Sequence, residues 1–112
     1  MDFLMMQLKD VNEKLYKKIT LFNTIQYNIF KEEFHKSKKN KIKIIAKLNS
    51  TKHVMFYNIE YSTIFDSYRY NVTIHRVKRI YKSFNTFSGT MQYIFIHMLR
   101  NKILSFNCFI II

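Results

Sequence analysis

Between Ile42 and His75 the chain alternates apolar and polar residues with a period of two, and this constrains the fold more than any other feature. Ile42, Ile44, Ala46 and Leu48 alternate with Lys43, Ile45 and Lys47. Met55, Tyr57, Ile59 and Tyr61 alternate with residues that turn polar at Asn58, Glu60 and Ser62. Tyr70, Val72 and Ile74 alternate with Arg69, Asn71, Thr73 and His75. Successive strand residues point to opposite faces, so each run predicts a strand with one face on a core and one in water. An antiparallel meander meets that requirement, whereas a parallel sheet needs apolar side chains on both faces. Residues 49–52 (Asn-Ser-Thr-Lys) and the pair Asp66 and Ser67 supply turn chemistry between the runs.

Helical spacing flanks the strands. Leu4, Leu8, Val11, Leu15, Ile19 and Phe22 recur at intervals of three and four and fall on one stripe of an amphipathic helix. Asp2 can cap it, and Asp10–Lys14 and Glu13–Lys17 are acid-before-base pairs on its far side. Residues 20–34 fit two descriptions. Ile25, Tyr27 and Ile29 alternate like a strand, while Phe22, Ile25 and Ile29 continue the helix, which we favour. After the third strand, Val77, Ile80, Tyr81, Phe84, Phe87 and Met91 fall within an arc of about 120° at helical pitch, and Lys78, Arg79 and Lys82 lie opposite. Gly89 is placed to stop that helix.

The expected fold is therefore α+β, in the order α-β-β-β-α, with a three-stranded antiparallel sheet carrying its helices on one face. At 112 residues there is room for one core. Residues 1–91 form the expected domain, and 92–112 form an apolar C-terminal tail interrupted by Arg100 and Lys102. A spanning helix needs about 20 mostly apolar residues, which neither half of the tail supplies. A packed helix, a partner-binding segment and an interfacial anchor remain open for it.

Charge carries the functional reading. The chain holds 19 Lys and Arg against 7 Asp and Glu, a net charge of +12. Residues 1–34 are neutral overall, with five side chains of each sign, so the excess lies in the rest, where Glu60 and Asp66 are the only acids. A one-sided field of this kind attracts polyanions. Lys36, Lys38, Lys39, Lys41, Lys43, Lys47 and Lys52 form one acid-free cluster, and Arg69, Arg76, Lys78, Arg79 and Lys82 form a second. On the strand assignment Lys43, Lys47, Arg69, Asn71, Thr73 and His75 share the face opposite the core. Lys and Arg that neutralise phosphates release condensed counterions, the main source of sequence-independent affinity. The expected RNA-contacting residues are Lys38, Lys39, Lys41, Lys43, Lys47, Lys52, Arg69, Arg76, Lys78, Arg79 and Lys82. The structured backbone of RNA is the expected partner.

No enzymatic activity, metal or cofactor is expected. His35, His53, His75 and His97 lie 18 or 22 residues apart, and the single Cys108 excludes both an internal disulfide and a cysteine zinc cluster. With one Gly, no glycine-rich phosphate loop can form. The N-terminus lacks the basic-then-apolar plan of a signal peptide, so a reducing setting, cytosolic or nuclear, is the simplest reading, and the cytoplasm is the expected location.

The element order and the stretch from Tyr70 to Met91 resemble the 9 kDa and 14 kDa Alu-domain-binding subunits of the signal recognition particle. Val72-Thr73-Ile74 would be that family's last strand, and Val77, Ile80, Phe84, Phe87 and Met91 the stripe of its helix; Val77-Lys78-Arg79-Ile80 is the closest local match. The resemblance implies a heterodimer with a related subunit, whose joined sheets present a basic face to Alu RNA in elongation arrest and co-translational targeting. It would make Lys43, Lys47, Arg69, Arg76, Lys78 and Arg79 backbone contacts. Residues 20–40, Asp66-Ser67 in place of a Gly-containing hairpin, and the apolar tail depart from the family pattern. Two other readings stand beside it: a membrane-surface protein held by its tail and basic patch, and a small viral-type interaction protein whose lysines follow codon bias.

Overall fold

The computed structural model describes Leu15, Lys17, Ile19 and Phe22 and the segments 26–48, 54–64, 66–75 and 79–111. Over these, the order is α1 (Tyr27–Lys36), β1 (Lys41–Leu48), β2 (Val54–Ile64), β3 (Ser67–His75), β4 (Ile80–Phe84), α2 (Phe87–Arg100) and β5 (Ile103–Ile110). The fold is α+β, as expected, but the antiparallel sheet has five strands rather than three, in the order β4-β3-β2-β1-β5.

The three alternating runs form β1, β2 and β3, and their apolar sets become the core. Ile42, Ile44, Ala46, Met55, Tyr57, Ile59, Val72 and Ile74 are all buried on the helix side. The β2–β3 hairpin pairs Ile64 with Ser67, and Asp66 adopts φ 62 in its turn, a left-handed conformation that Asp tolerates better than most residues. The expected turn at residues 49–52 lies outside the described residues. So do Asp2, Leu4, Leu8 and Val11 of the first stripe, with Asp10, Glu13 and Lys14. Leu15 and Ile19 sit in helical backbone and are buried, while Lys17 between them is exposed, which matches the stripe.

Two expectations are corrected. Residues 77–91 are not one helix, because Ile80–Phe84 pair with Tyr70–Ile74 as β4 and α2 begins only at Phe87. A five-residue apolar and polar mixture fits either period, and pairing with β3 decides it by satisfying a row of backbone groups that would otherwise be unpaired. The start signal is Thr86, whose Oγ1 accepts the Gly89 N–H at 3.0 Å. Gly89 thus opens a helix instead of ending one. A Cβ there would meet Thr86 Oγ1 at 3.0 Å, so its absence lets the cap close tightly.

The second correction concerns residues 92–112, expected as a tail. They supply the rest of α2 and the whole of β5, which pairs antiparallel with β1 from Ile42–Ile110 to Leu48–Ile103. β4 and β5 lie at opposite edges, so α2 must cross the sheet. Its 14 residues span about 21 Å, close to the roughly 19 Å across four strand intervals. Met91, Ile94, Phe95, Met98 and Leu99 are consequently buried along its length.

Residues 20–34, open between helix and strand, include α1 from Tyr27. Phe34 is its buried anchor, fully enclosed and in ring contact with Tyr61, Tyr70 and Phe87. Phe22 packs edge-to-face on Phe30, Phe95 and Phe106, joining both helices to β5. Two hydrogen bonds tie helix to sheet. Tyr57 Oη lies 2.8 Å from His97 Nδ1, and Tyr70 Oη lies 2.6 Å from His35 Nε2. His35 Nδ1 is 2.9 Å from the Lys31 carbonyl, which can only accept, so Nδ1 carries a proton.

Truncating Phe34 to Ala is expected to cost about 3–5 kcal/mol in urea denaturation, since it empties a fully enclosed site. A second expectation concerns alkali. Burial first, and then the neighbouring Tyr61 and Tyr27, raise the Tyr70 phenol above its usual 10.0. The unfolded chain therefore loses this proton before the folded one, so stability is intact below pH 10 and falls as pH climbs through the raised value. Tyr70→Phe should flatten part of that fall in thermal melts, while lowering stability at neutral pH through loss of the His35 hydrogen bond.

Candidate nucleic-acid interface

The residues left over from the core make the other face of the sheet. Among the described residues both helices lie on the core side, so this outer face is covered by no helix. The strand register arranges it in cross-strand rows. One row runs Phe109, Lys43, Asn58, Thr73, Tyr81 from the β5 edge to the β4 edge. The next runs Asn107, Ile45, Phe56, His75, and a third runs Lys41, Glu60, Asn71, Ser83. Lys47 stands opposite Val54 and Ser105, and Arg69 opposite Ser62.

Two devices hold this face in shape. Lys43 Nζ sits 5.0 Å from the centroid of the Phe56 ring, a diagonal cross-strand contact that keeps the ammonium close to the sheet. Asn71, only 7% exposed, is the hub of a polar network. Its amide donates to Ser62 Oγ at 2.9 Å, and its Oδ1 accepts from Tyr81 Oη at 3.0 Å and Ser83 Oγ at 3.1 Å. Arg69 Nε donates to the same Ser83 Oγ at 2.9 Å, and its Nη2 to the Ser83 carbonyl at 3.3 Å. Those bonds orient the guanidinium and use two of its five N–H groups, leaving three for a ligand.

The electrostatics are one-sided. Among the described residues Lys41, Lys43, Lys47 and Arg69 share the face with a single carboxylate, Glu60, directly across from Lys41. The ion pair between described residues is elsewhere, on α1, where Lys36 meets Glu32 at 2.9 Å with both side chains largely exposed. It stabilises little and removes no charge from the sheet face.

The expected contact residues divide into four groups. Lys43, Lys47, Arg69, Asn71, Thr73 and His75 do share the outer face, and Lys41 joins them. Lys38 and Lys39 are exposed in the α1–β1 link, at the end where β1 begins. Arg79 and Lys82 are corrected: they lie before and on β4, not on a helix flank, and Lys82 is in register with buried Val72, which puts it on the helix side of that edge. Lys52, Arg76 and Lys78 lie outside the described residues. Sequence reasoning missed Tyr81 and Phe109, which line the outer face. For Phe109 a signal existed, since Phe106, Cys108 and Ile110 alternate with Asn107 and Phe109; for Tyr81 the helical assignment hid it.

The helix side carries a different concavity. A groove of about 510 Å³ lies between α1 and β5, lined by Phe22, Gln26, Ile29, Phe30, Glu33, Phe106, Asn107 and Cys108. Among the described residues no basic side chain lines it, so these walls do not suit a polyanion. Among the described residues no group of His, Cys, Asp and Glu could hold a metal ion, and no helix is long and apolar enough to cross a membrane.

Asn71→Ala leaves the Tyr81 and Ser83 hydroxyls without their shared acceptor and should cost about 1–3 kcal/mol in chemical denaturation. Nuclear magnetic resonance should then show the Tyr81 ring averaging over more rotamers. No protein-family model, curated protein or solved structure matches this chain, so its own geometry carries the functional reading.

Proposed function

We propose that the outer face of the sheet binds RNA through its phosphate backbone and that the chain serves as an RNA-binding subunit of a ribonucleoprotein. One observation carries the reading: the register gathers Lys41, Lys43, Lys47 and Arg69 on a face that, among the described residues, no helix covers and one acid, Glu60, shares. Strands hold these cations at fixed spacing, so little ordering cost attends binding. Asn58, Thr73 and the unused Arg69 donors add hydrogen bonds to phosphate and sugar oxygens. A signal recognition particle subunit paired with a relative is the narrower form of this proposal, and competition between Alu RNA and an unrelated stem-loop of equal length tests it.

The membrane-surface alternative needs residues 92–112 as an anchor beside the basic patch. Ile94, Phe95, Met98, Leu99 and Ile103 are buried in the core, and inserting them into a bilayer would dismantle the fold.

The test is a salt titration of RNA binding, beside duplex DNA and an anionic liposome. Contacts from four cations should give a slope of log K against log salt near −3, at about −0.7 per phosphate on single strands. Lys43→Ala and Lys47→Ala should each reduce its magnitude by about 0.7–0.9. Binding that these substitutions leave unchanged, or that is equal for all three polyanions at physiological salt, would remove the proposal.

A further inference from the structure

We infer that the nucleic acid is held as unpaired nucleotides, with bases stacked on Phe109 and Tyr81 at the two edges of the outer face; this rests on the outer face being the nucleic-acid interface. Phe109 is 49% exposed and Tyr81 56% exposed, large apolar surfaces to leave in water. They are the two ends of one cross-strand row, about 19 Å apart across four strand intervals. Between them stand Lys43, Asn58 and Thr73, a cation, an amide and a hydroxyl, with no carboxylate in the row.

That composition separates two kinds of ligand. A duplex keeps its bases stacked inside and offers phosphates and sugars, so it would engage Lys41, Lys43, Lys47 and Arg69 and leave both rings unused. An unpaired strand exposes base faces as well, and an aromatic ring stacks on any base irrespective of sequence. Cations between aromatic platforms are the arrangement that tracks a single strand. The Tyr81 ring is also held ready, because its hydroxyl is bonded to Asn71 Oδ1. Phe56 is not a third platform, since Lys43 lies over it. Its part is to hold the cation beside the path of the strand.

The test uses the full chain and fluorescence anisotropy, with a short unstructured RNA, the DNA of the same sequence, and the RNA annealed to its complement. Phe109→Leu and Tyr81→Ala should each weaken single-strand binding about 5- to 150-fold, with the salt slope and duplex binding unchanged. Tyr81→Phe keeps the ring and should bind within about 3-fold of the parent chain, which separates stacking from the Asn71 hydrogen bond. Thermal melts of each variant confirm that both exposed positions leave the fold intact. Stronger binding of RNA than DNA would add the 2′-hydroxyl to the recognition, through Asn58 and Thr73; equal binding would support stacking alone. If Phe109→Leu and Tyr81→Ala bind single strands like the parent while Lys43→Ala and Lys47→Ala do not, stacking is overturned and the backbone-binding face stands. If the lysine variants also bind like the parent, the interface itself is lost.

Discussion

A slip of one residue in the pairing of β1 would turn Lys41, Lys43 and Lys47 into the core and expose Ile42, Ile44 and Ala46. Strand periodicity makes such a slip move every side chain to the other face, and burying three unpaired ammonium groups costs far more than any strand pairing returns. β1 is bonded on both sides, to β2 and to β5, so its register passes to the whole sheet. The same alternation that excludes wrong registers therefore decides two things together. It places the apolar set against the helices, and it lines the cations on the surface that no described helix covers.

The helix layer completes what that register begins. Without α2 the core face of a five-stranded sheet would stand in water, and without its crossing the last strand could not reach β1. Its length is close to the width of the sheet, and Thr86 sets where it starts. Phe34 and Phe22 then close the space between α1, α2 and the strands. Tyr57 with His97 and Tyr70 with His35 add polar ties between layers. Such bonds contribute modestly to stability, but leaving one partner buried without the other is expensive, which favours this one arrangement of helices on sheet.

A sheet face suits electrostatic recognition for mechanical reasons. Its cations are spaced by backbone hydrogen bonds and not by loop conformation. Lys43 is drawn toward Phe56, and Arg69 is braced by Ser83, which is itself bonded to Asn71. The groove between α1 and β5 has a different character, with Phe22, Ile29, Phe30 and Phe106 beside Gln26, Glu33 and Asn107, so the two sides of the molecule offer different chemistry.

Much of this was legible in the residues alone. The period-two runs at Ile42–Leu48, Met55–Tyr61 and Tyr70–Ile74 specified three strands, their direction of pairing and their wet face. The lysines of β1 and Arg69, Asn71, Thr73 and His75 of β3 were on that face for the same reason. What local pattern left undetermined was decided by contacts distant in sequence. Ile80–Phe84 is too short for either period to prevail, and the unpaired side of β3 made it a strand. Residues 92–110 are apolar enough for several fates, and the vacant side of β1 together with the reach of α2 made them core and sheet. Tyr81 and Phe109 share a row only because β4 and β5 occupy opposite edges. Alternation along one strand is a local property of the chain, whereas the choice of neighbour depends on backbone groups and apolar surface that other strands leave unsatisfied.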